Sequence, residues 1–234
     1  MPYRAVTLYP RSGSTIMPTP RLGTTLVDRV AMASVFTQDL PRDVADAFIG
    51  AGQVACDTET TGLDWRHDRL AICQLYHPSV GLAIVRMTGP AEQLSRVLVA
   101  EDLTKVFHHA PFDLRFLTHA LGVVPAEIRC TKVASKLLRP EEPNNMHSLA
   151  ALLSNILDVH LDKGAVRTSD WTGELTDEQL AYAGNDVRFL LPLLDALEDG
   201  LREVGRAALF DECCHFLATR VETELLGLQD VFAY

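Results

Sequence analysis

Two carboxylates lie in a segment that otherwise has the apolar composition of a buried strand. Asp57 and Glu59 follow Val54-Ala55-Cys56. Because alternate side chains of a strand point to the same face, we expect the two acids to project side by side at the strand's carboxyl end. Adjacent anions repel each other, and a buried carboxylate is costly unless it is paired or binds a metal ion. The spacing therefore predicts a cation site at this end of the strand.

Two further carboxylates lie where such a site needs them. Asp113 falls in the first turn of a predicted helix that begins at Pro111, where the helix dipole favours negative charge. Asp186 follows Tyr182 by four residues on another predicted helix, a spacing that puts the phenol and the carboxylate on one face. Taken alone, the strand acids also fit an exposed turn, and the tyrosine also fits an ordinary helix-face residue bonded to backbone.

The pattern around these residues predicts a single-domain α/β fold, in which a mixed sheet of about five strands is flanked by helices. Three strand-length segments in succession favour an antiparallel start, and the later alternation of helix and strand favours parallel pairing. The predicted strands are the segment around Asp57, 70–76, 80–85, 105–108 and 128–130, with a candidate edge strand at 35–37, and the predicted helices are 41–49, 91–100, 111–121, 131–138, 148–157, 176–197 and 202–226. Ligands of such folds lie at the carboxyl ends of the strands.

Composition indicates an ordinary globular chain. The 234 residues are 47% hydrophobic and 22% charged, which is enough for one sizeable core. The sequence lacks an apolar run long enough to cross a bilayer and the apolar centre of a secretory signal, so we expect a cytoplasmic protein with no membrane partner. The five cysteines lack a Cys-x-x-Cys spacing and are predicted to be small buried residues in a reducing compartment.

The net charge of the chain limits how it could bind nucleic acid. A net charge of −10 argues against a protein that binds long nucleic acid mainly through non-specific phosphate contacts. It does not exclude a nucleic-acid enzyme, because carboxylates loaded with divalent cations attract phosphate. Residues 1–31 are rich in Pro and Arg without a helical or strand period, and we expect a disordered extension there, followed by one domain over 32–234.

Three ordered motifs carry a family resemblance. Asp57-x-Glu59-Thr60-Thr61-Gly62-Leu63, Phe112-Asp113 and Tyr182-x-x-x-Asp186 closely resemble the exonuclease motifs of the DEDD superfamily in its tyrosine branch. The histidine branch would have a histidine at position 181, which is Ala here. Ser169-Asp170-Trp171 and the segment 175–182 are similar to the ribonuclease D-like group. The segments 130–137 and 225–233 look like the short NrnC-type enzymes, which act on very small RNAs, and no helical domain of the HRDC type is expected after the nuclease.

The resemblance implies a ribonuclease H-like fold and hydrolysis of RNA from its 3′ end. It implies two divalent ions, Mg²⁺ or Mn²⁺, with Asp57 bridging them and Tyr182 orienting the attacking water. The metal ligands it implies are Asp57, Glu59, Asp113 and Asp186, and the substrate-binding residues are Thr60, Gly62, Leu63, Phe112, His147 and Arg167. The ribonuclease D pattern before Ser-Asp-Trp is Lys-x-x-Gln-x, whereas residues 163–168 contain one extra residue and no Gln. We therefore expect Arg167 to substitute for Lys163 in substrate binding.

The expected function is therefore a metal-dependent 3′-5′ exoribonuclease that releases nucleoside 5′-monophosphates and favours short single-stranded RNA. Alternatives are ribonuclease D-like trimming of structured RNA such as tRNA precursors, a single-domain DNA 3′-5′ exonuclease, and an inactive RNA-binding module. The presence of four carboxylates and Tyr182 argues against an inactive RNA-binding module, since a pure binder has little use for mutually repelling acids.

The NrnC-like tail also predicts a homo-oligomer. His108 and His109 are expected to be hydrogen-bonded rather than metal ligands, and Trp171 is expected to be a core or loop anchor rather than a platform for base stacking.

Overall fold

The computed structural model describes residues 33–161 and 169–228, together with 231 and 233. The predicted disordered extension over 1–31 and the predicted substrate-binding residue Arg167 lie outside the described residues, as does Lys163.

A mixed sheet of six strands forms the centre of the described part of the chain. Its order is β1-β4-β3-β2-β5-β6, and the strands are β1 Ser34–Thr37, β2 Gln53–Thr60, β3 Leu70–His77, β4 Gly81–Arg86, β5 Thr104–Phe107 and β6 Ile128–Cys130. The strands β2, β3 and β4 pair antiparallel, whereas β1 with β4, β2 with β5 and β5 with β6 pair parallel. The predicted antiparallel start and later parallel strands are confirmed. The short edge strand β1 raises the count above the predicted five or so.

Helices flank this sheet. They are α1 Arg42–Gly50, α2 Glu92–Val99, α3 Ala110–Leu121, α4 Thr131–Leu138, α5 Leu149–Leu157, α6 Asp177–Arg188, α7 Leu190–Glu203 and α8 Ala207–Leu225. The first five agree with the predicted ranges to within a residue at each end. The helix α6 begins with a capping box, in which Thr176 N donates to Gln179 Oε1 and Gln179 N donates to Thr176 Oγ1. None of the described helices is both long and apolar enough to cross a membrane.

The prediction of one helix over 176–197 and another over 202–226 is wrong. The first breaks at Phe189, whose backbone has φ −105° and ψ 0°. Pro192 explains the break, because it has no N–H to donate to the carbonyl four residues earlier and its ring would clash with that carbonyl. A new helix, α7, then runs through the gap predicted between residues 197 and 202 and ends at Glu203. Gly205 follows this end with φ +70°. Arg206 N donates to Leu201 O over 2.8 Å and closes this end.

The core lies on both faces of the sheet. Strands β3 and β4 are buried along most of their length, and α7 contributes a row of leucines, namely Leu190, Leu193, Leu197 and Leu201. Four cysteines are buried as predicted, whereas Cys213 is partly exposed. Trp171 is buried, which confirms its prediction as a core anchor.

Candidate active site

Strand β2 carries the first two acids to an open edge of the sheet. Its first half, Gln53 to Ala55, pairs with β5, but β5 ends at Phe107 and the chain turns into α3. The second half of β2 therefore has β3 on one side only among the described strands. Asp57 lies opposite Gln74 of β3, and the register shifts after Glu59. Strand β2 thus extends past the carboxyl end of β5, and its two acids lie at the position where a ligand site was predicted.

The helix α6 brings Asp186 to these acids. It packs against β2 and β3, and Gly184 allows this close approach, because a Cβ there would lie 2.9 Å from Cδ2 of Leu82 on β4. One carboxylate oxygen from each of Asp57, Glu59 and Asp186 lies within 4.8 Å of the others. The structure therefore brings three of the four predicted metal-binding acids into one cluster.

Asp113, the fourth acid, is held by the strand that carries the first two. Thr58 Oγ1 donates a 2.7 Å hydrogen bond to Asp113 Oδ1, and both side chains are buried. Asp113 lies outside the group of three whose oxygens lie within 4.8 Å of one another. Because its partner Thr58 stands between Asp57 and Glu59, Asp113 is fixed to the same short stretch of β2.

The acids of this site repel one another. Burial raises the pKa of Asp57 well above its usual range, and the negative charges of Asp113, Asp186 and Glu59 raise it further. Burial also raises the pKa of Asp113 to about 7, although the hydrogen bond from Thr58 acts in the opposite direction. A divalent cation would relieve this repulsion and displace the protons. An all-carboxylate donor set fits Mg²⁺ or Mn²⁺, which prefer oxygen ligands.

Tyr182 lies on the same helix as Asp186, one turn earlier. Its ring packs on the buried Trp171, with the ring centroids 6.0 Å apart at an angle of 45°. This contact restricts the direction of the phenol. The contact also links the Ser-Asp-Trp segment, through Trp171, directly to the tyrosine of the third motif.

The two histidines after β5 are neutral. Burial and the positive charge of Lys132 lower the pKa of His108 to about 3, and its Nδ1 hydrogen-bonds with Thr131 Oγ1 over 2.9 Å. Burial and the charges of Lys132 and Arg115 lower the pKa of His109 to about 4. His109 begins α3 in the left-handed region, with φ 68°. Neither histidine belongs to the three-acid cluster.

The loop after β2 carries three predicted substrate-binding residues. Leu63 is 82% exposed, so its side chain is available to a ligand. Thr60 Oγ1 donates to Gly62 O over 2.5 Å. A Cβ at Gly62 would overlap the carboxylate of Asp68, which accepts a 2.9 Å hydrogen bond from Asp64 N. A side chain at Gly62 would therefore displace the Asp68 carboxylate from its contact with Asp64.

The remaining predicted substrate-binding residues lie further along the chain. Phe112 packs on Phe116, with ring centroids 5.1 Å apart, beside Asp113. His147 is buried, with Nδ1 at 2.7 Å from Ser135 Oγ and Nε2 at 3.2 Å from Glu142 O. Both nitrogens of its ring are thus engaged inside the protein. Direct substrate contact by His147 stays a prediction that these contacts do not support.

Two residues near the acids were not predicted. Thr58 binds Asp113, and Gln74 Nε2 donates to Asp57 Oδ2 over 3.3 Å. In the sequence, Gln74 could have been noticed as a single amide side chain inside the apolar run from Leu70 to Leu75. The signal for Thr58 was its position between the two acids.

Comparisons with known proteins agree with this geometry. Residues 32–202 match a protein family described as 3′-5′ exonuclease. The solved structure of NrnC from Brucella melitensis bound to pGG has a TM-score of 0.79 and 35% sequence identity, and the similarity covers 87% of this chain and 98% of that one. The same protein with bound Mg²⁺ gives a TM-score of 0.78, again at 35% identity, over 87% of this chain and 99% of that one. These similarities confirm the predicted ribonuclease H-like fold and the resemblance to NrnC-type DEDD exonucleases.

Sequence relatives include larger enzymes. DNA polymerase I from Aquifex aeolicus is 35% identical over 150 residues, which is 63% of this chain and 24% of the polymerase. Ribonuclease D from Zymomonas mobilis is 36% identical over 113 residues, which is 48% of this chain and 28% of that protein. The chain therefore matches less than a third of the length of either relative.

Proposed function

The chain belongs to the 3′-5′ exonuclease family, and from this premise we propose that it is a metal-dependent 3′-5′ exoribonuclease that releases nucleoside 5′-monophosphates. The proposal rests on the cluster of Asp57, Glu59 and Asp186, in which one carboxylate oxygen from each residue lies within 4.8 Å of the others. A partly buried group of mutually repelling acids destabilises the fold unless it binds cations, so its presence favours a metal-dependent reaction.

The chain's residues divide the work of hydrolysis. Hydrolysis of a phosphodiester needs an attacking hydroxide and stabilisation of the departing 3′ oxygen, and divalent ions supply both when bound. Asp57, Glu59 and Asp186 would hold these ions, with Asp113 kept in place by Thr58. Tyr182, oriented by Trp171, would position the attacking water through its phenol oxygen.

We propose Mg²⁺ or Mn²⁺ as the cofactor, with two ions in each site. The Mg²⁺-bound form of Brucella NrnC supports the first choice of metal. We propose two ions because hydrolysis would need positive charge both at the attacking water and at the leaving oxygen, and Asp57, Glu59 and Asp186 would hold the ions that supply it. Arg167, which lies outside the described residues, remains a predicted substrate-binding residue.

Short RNA is the proposed substrate. The similarity to Brucella NrnC bound to pGG supports a dinucleotide-sized ligand. The net charge of −10 disfavours extensive contact with a long polyanion, whereas Lys132, Arg115 and Lys136 provide positive charge around His109 at the start of α3. The exposed Leu63, four residues after Glu59 in the sequence, is a candidate to pack on the terminal base, and the Thr60 backbone is a candidate to receive the 3′ hydroxyl.

Substrate length can be measured directly. The kcat/KM for an RNA dinucleotide is compared with that for single strands of increasing length and for a structured tRNA-like 3′ end, all with Mg²⁺. We expect the dinucleotide to be the best substrate. Faster hydrolysis of the longer strands would contradict the preference for short RNA, and faster trimming of the structured end would favour the ribonuclease D-like alternative.

A DNA exonuclease is the second candidate, because the similarity to Aquifex DNA polymerase I favours it. Matched ribo- and deoxyribodinucleotides of one sequence distinguish the two sugars. Equal or faster hydrolysis of the deoxy substrate would replace the proposed RNA preference with a DNA activity.

We also infer a homo-oligomer that works in the cytoplasm. Apolar side chains near the carboxyl terminus support association, since Leu226 is 76% exposed and Leu228 51% exposed. A mass measurement in solution should exceed the 25.8 kDa of one chain. A monomeric mass at assay concentration would contradict the inference.

A further inference from the structure

We propose that Gln74 is a positioning residue for metal binding, whose amide holds the Asp57 carboxylate in the orientation that receives the cation. Gln74 lies on β3 directly opposite Asp57 of β2, and its Nε2 donates to Asp57 Oδ2 over 3.3 Å. Its side chain is fully buried, with 0% of its surface exposed. The inference rests on the proposed metal-dependent function and adds to it a residue that acts through Asp57.

The cross-strand register makes the contact specific. Residues directly opposite each other in an antiparallel pair project from the same face, so Gln74 shares the face of Asp57 and Glu59. The last torsion of an aspartate is broad, so a free carboxylate rotates easily. A donor on Oδ2 restricts that rotation and leaves Oδ1 to a ligand.

An amide suits this position better than a charged donor. A lysine or arginine opposite Asp57 would also fix the carboxylate, but its positive charge would repel the divalent cation. A glutamine donates one hydrogen bond and adds no positive charge beside the cation site. Outer hydrogen-bond partners of this kind orient metal ligands in many proteins.

Gln74 lowers the stability of the fold through an unpaired polar atom. Its Oε1 is buried and has no hydrogen-bond partner among the residues that the structure describes. When Asp57 is ionised to bind a cation, rotating the amide would bring Oε1 against a carboxylate that can only accept hydrogen bonds, so the present orientation is the one that fits cation binding. An unpaired buried acceptor destabilises a protein, and its neighbours along β3, among them Cys73 and Leu75, are buried and apolar. Stability alone would favour an apolar side chain here, and a functional role explains the exception.

The substitution Gln74→Met tests the proposal, because it removes both the donor and the unpaired acceptor at nearly constant volume. The matched control is Gln53→Met, at the far end of β2, where Gln53 pairs with Thr104 of β5. Mn²⁺ binding to the full-length chain is measured by calorimetry without substrate, and each variant is also melted without metal. We expect Gln74→Met to bind Mn²⁺ about 10–100-fold more weakly than the wild type, with a melting temperature no lower. Gln53→Met should bind Mn²⁺ as the wild type does.

Steady-state kinetics add a second readout. With Gln74→Met, kcat for an RNA dinucleotide should fall at low Mg²⁺ and recover as Mg²⁺ is raised, while KM for RNA stays unchanged. A structural defect would instead lower the melting temperature without this dependence on Mg²⁺.

The outcomes separate this inference from the proposed function. Equal Mn²⁺ binding by the wild type and Asp57→Asn would contradict the proposed function itself. If Asp57→Asn loses binding but Gln74→Met keeps the wild-type affinity, the positioning role is overturned and the proposed function stands. A lowered melting temperature in both Gln74→Met and Gln74→Leu, relative to Gln53→Met, would assign Gln74 a structural role and also overturn the inference.

Discussion

The two ends of the β2–β5 strand pair bury charge in opposite ways. At the amino end of β2, Lys105 of β5 lies beside Val54, and its Nζ donates to Ala100 O and Leu103 O, each over 2.6 Å. At the carboxyl end, Asp113 receives a hydrogen bond from Thr58, while Asp186 adds a like charge. Lys105 is satisfied within the protein, whereas the acids repel one another. The contrast indicates a structural charge at one end and a ligand site at the other.

The same contrast appears in the pKa values. Burial lowers the pKa of Lys105 to about 8, and burial raises the pKa of Asp113 to about 7. In both cases the fold disfavours the charged form. For Lys105 two carbonyl oxygens offset that effect, but for the acids the compensation has to come from a bound cation.

Removing a clustered acid should have the largest effect. Asp57→Asn and Asp186→Asn should each lower Mg²⁺-dependent kcat/KM on the order of 10⁴-fold, the scale seen when one member of a catalytic set is lost. Each variant should melt at or above the wild-type temperature in EDTA, because a repulsion disappears. Dinucleotide hydrolysis and thermal melting provide the two measurements. Wild-type activity in both variants would place the active site elsewhere.

Thr58→Val tests whether Asp113 must be held in place. Loss of the hydroxyl leaves Asp113 without its 2.7 Å donor, and we expect kcat to fall about 10–100-fold. Thr104→Val is a matched control, because Thr104 starts β5 opposite Gln53, away from the acids. Similar kinetics in the two variants would mean that Asp113 needs no support from Thr58.

The stability of the metal-free protein should depend on pH through Asp113. Its pKa is raised to about 7 in the folded state, so the folded state keeps a proton that the unfolded chain loses. The free energy of unfolding in EDTA should therefore fall by a few kcal/mol as pH rises from about 4 through 7. Asp113→Asn should flatten this part of the profile, and Mg²⁺ should restore stability at pH 8. Parallel denaturant-unfolding profiles for the two proteins would contradict the assignment.

Lys105→Met should have the smallest effect on catalysis. The substitution leaves two carbonyl oxygens without their donor, so we expect a loss of about 1–3 kcal/mol in the free energy of unfolding. The kcat of the folded enzyme should stay at the wild-type value, because Lys105 lies at the end of the strand pair away from the acids. A large drop in kcat in a fully folded Lys105→Met protein would contradict the claim that this end of the strand pair has only a structural role.

Much of the site could be predicted because its signals are local. Asp57 and Glu59 share a strand face, and Tyr182 and Asp186 share a helix face, so periodicity alone groups each pair. Contacts across the sheet were not predictable in this way. The bond from Gln74 to Asp57 depends on the register of β2 with β3, which no local pattern encodes.

The errors in the fold have similarly identifiable causes. The break at Phe189 was encoded by Pro192, and the end of α7 by Gly205, but leucine periodicity outweighed both signals. His147 shows the converse problem. Its type suggests chemistry, yet its burial against Ser135 and Glu142 is a tertiary fact.

The most direct test of the central claim is hydrolysis of an RNA dinucleotide by the purified chain, with Mg²⁺ and with EDTA. If the carboxyl end of β2 is a cation site for phosphodiester hydrolysis, nucleoside 5′-monophosphates should form with Mg²⁺ and their formation should stop in EDTA. Product formation that is unchanged by EDTA, or no product with either Mg²⁺ or Mn²⁺, would contradict it.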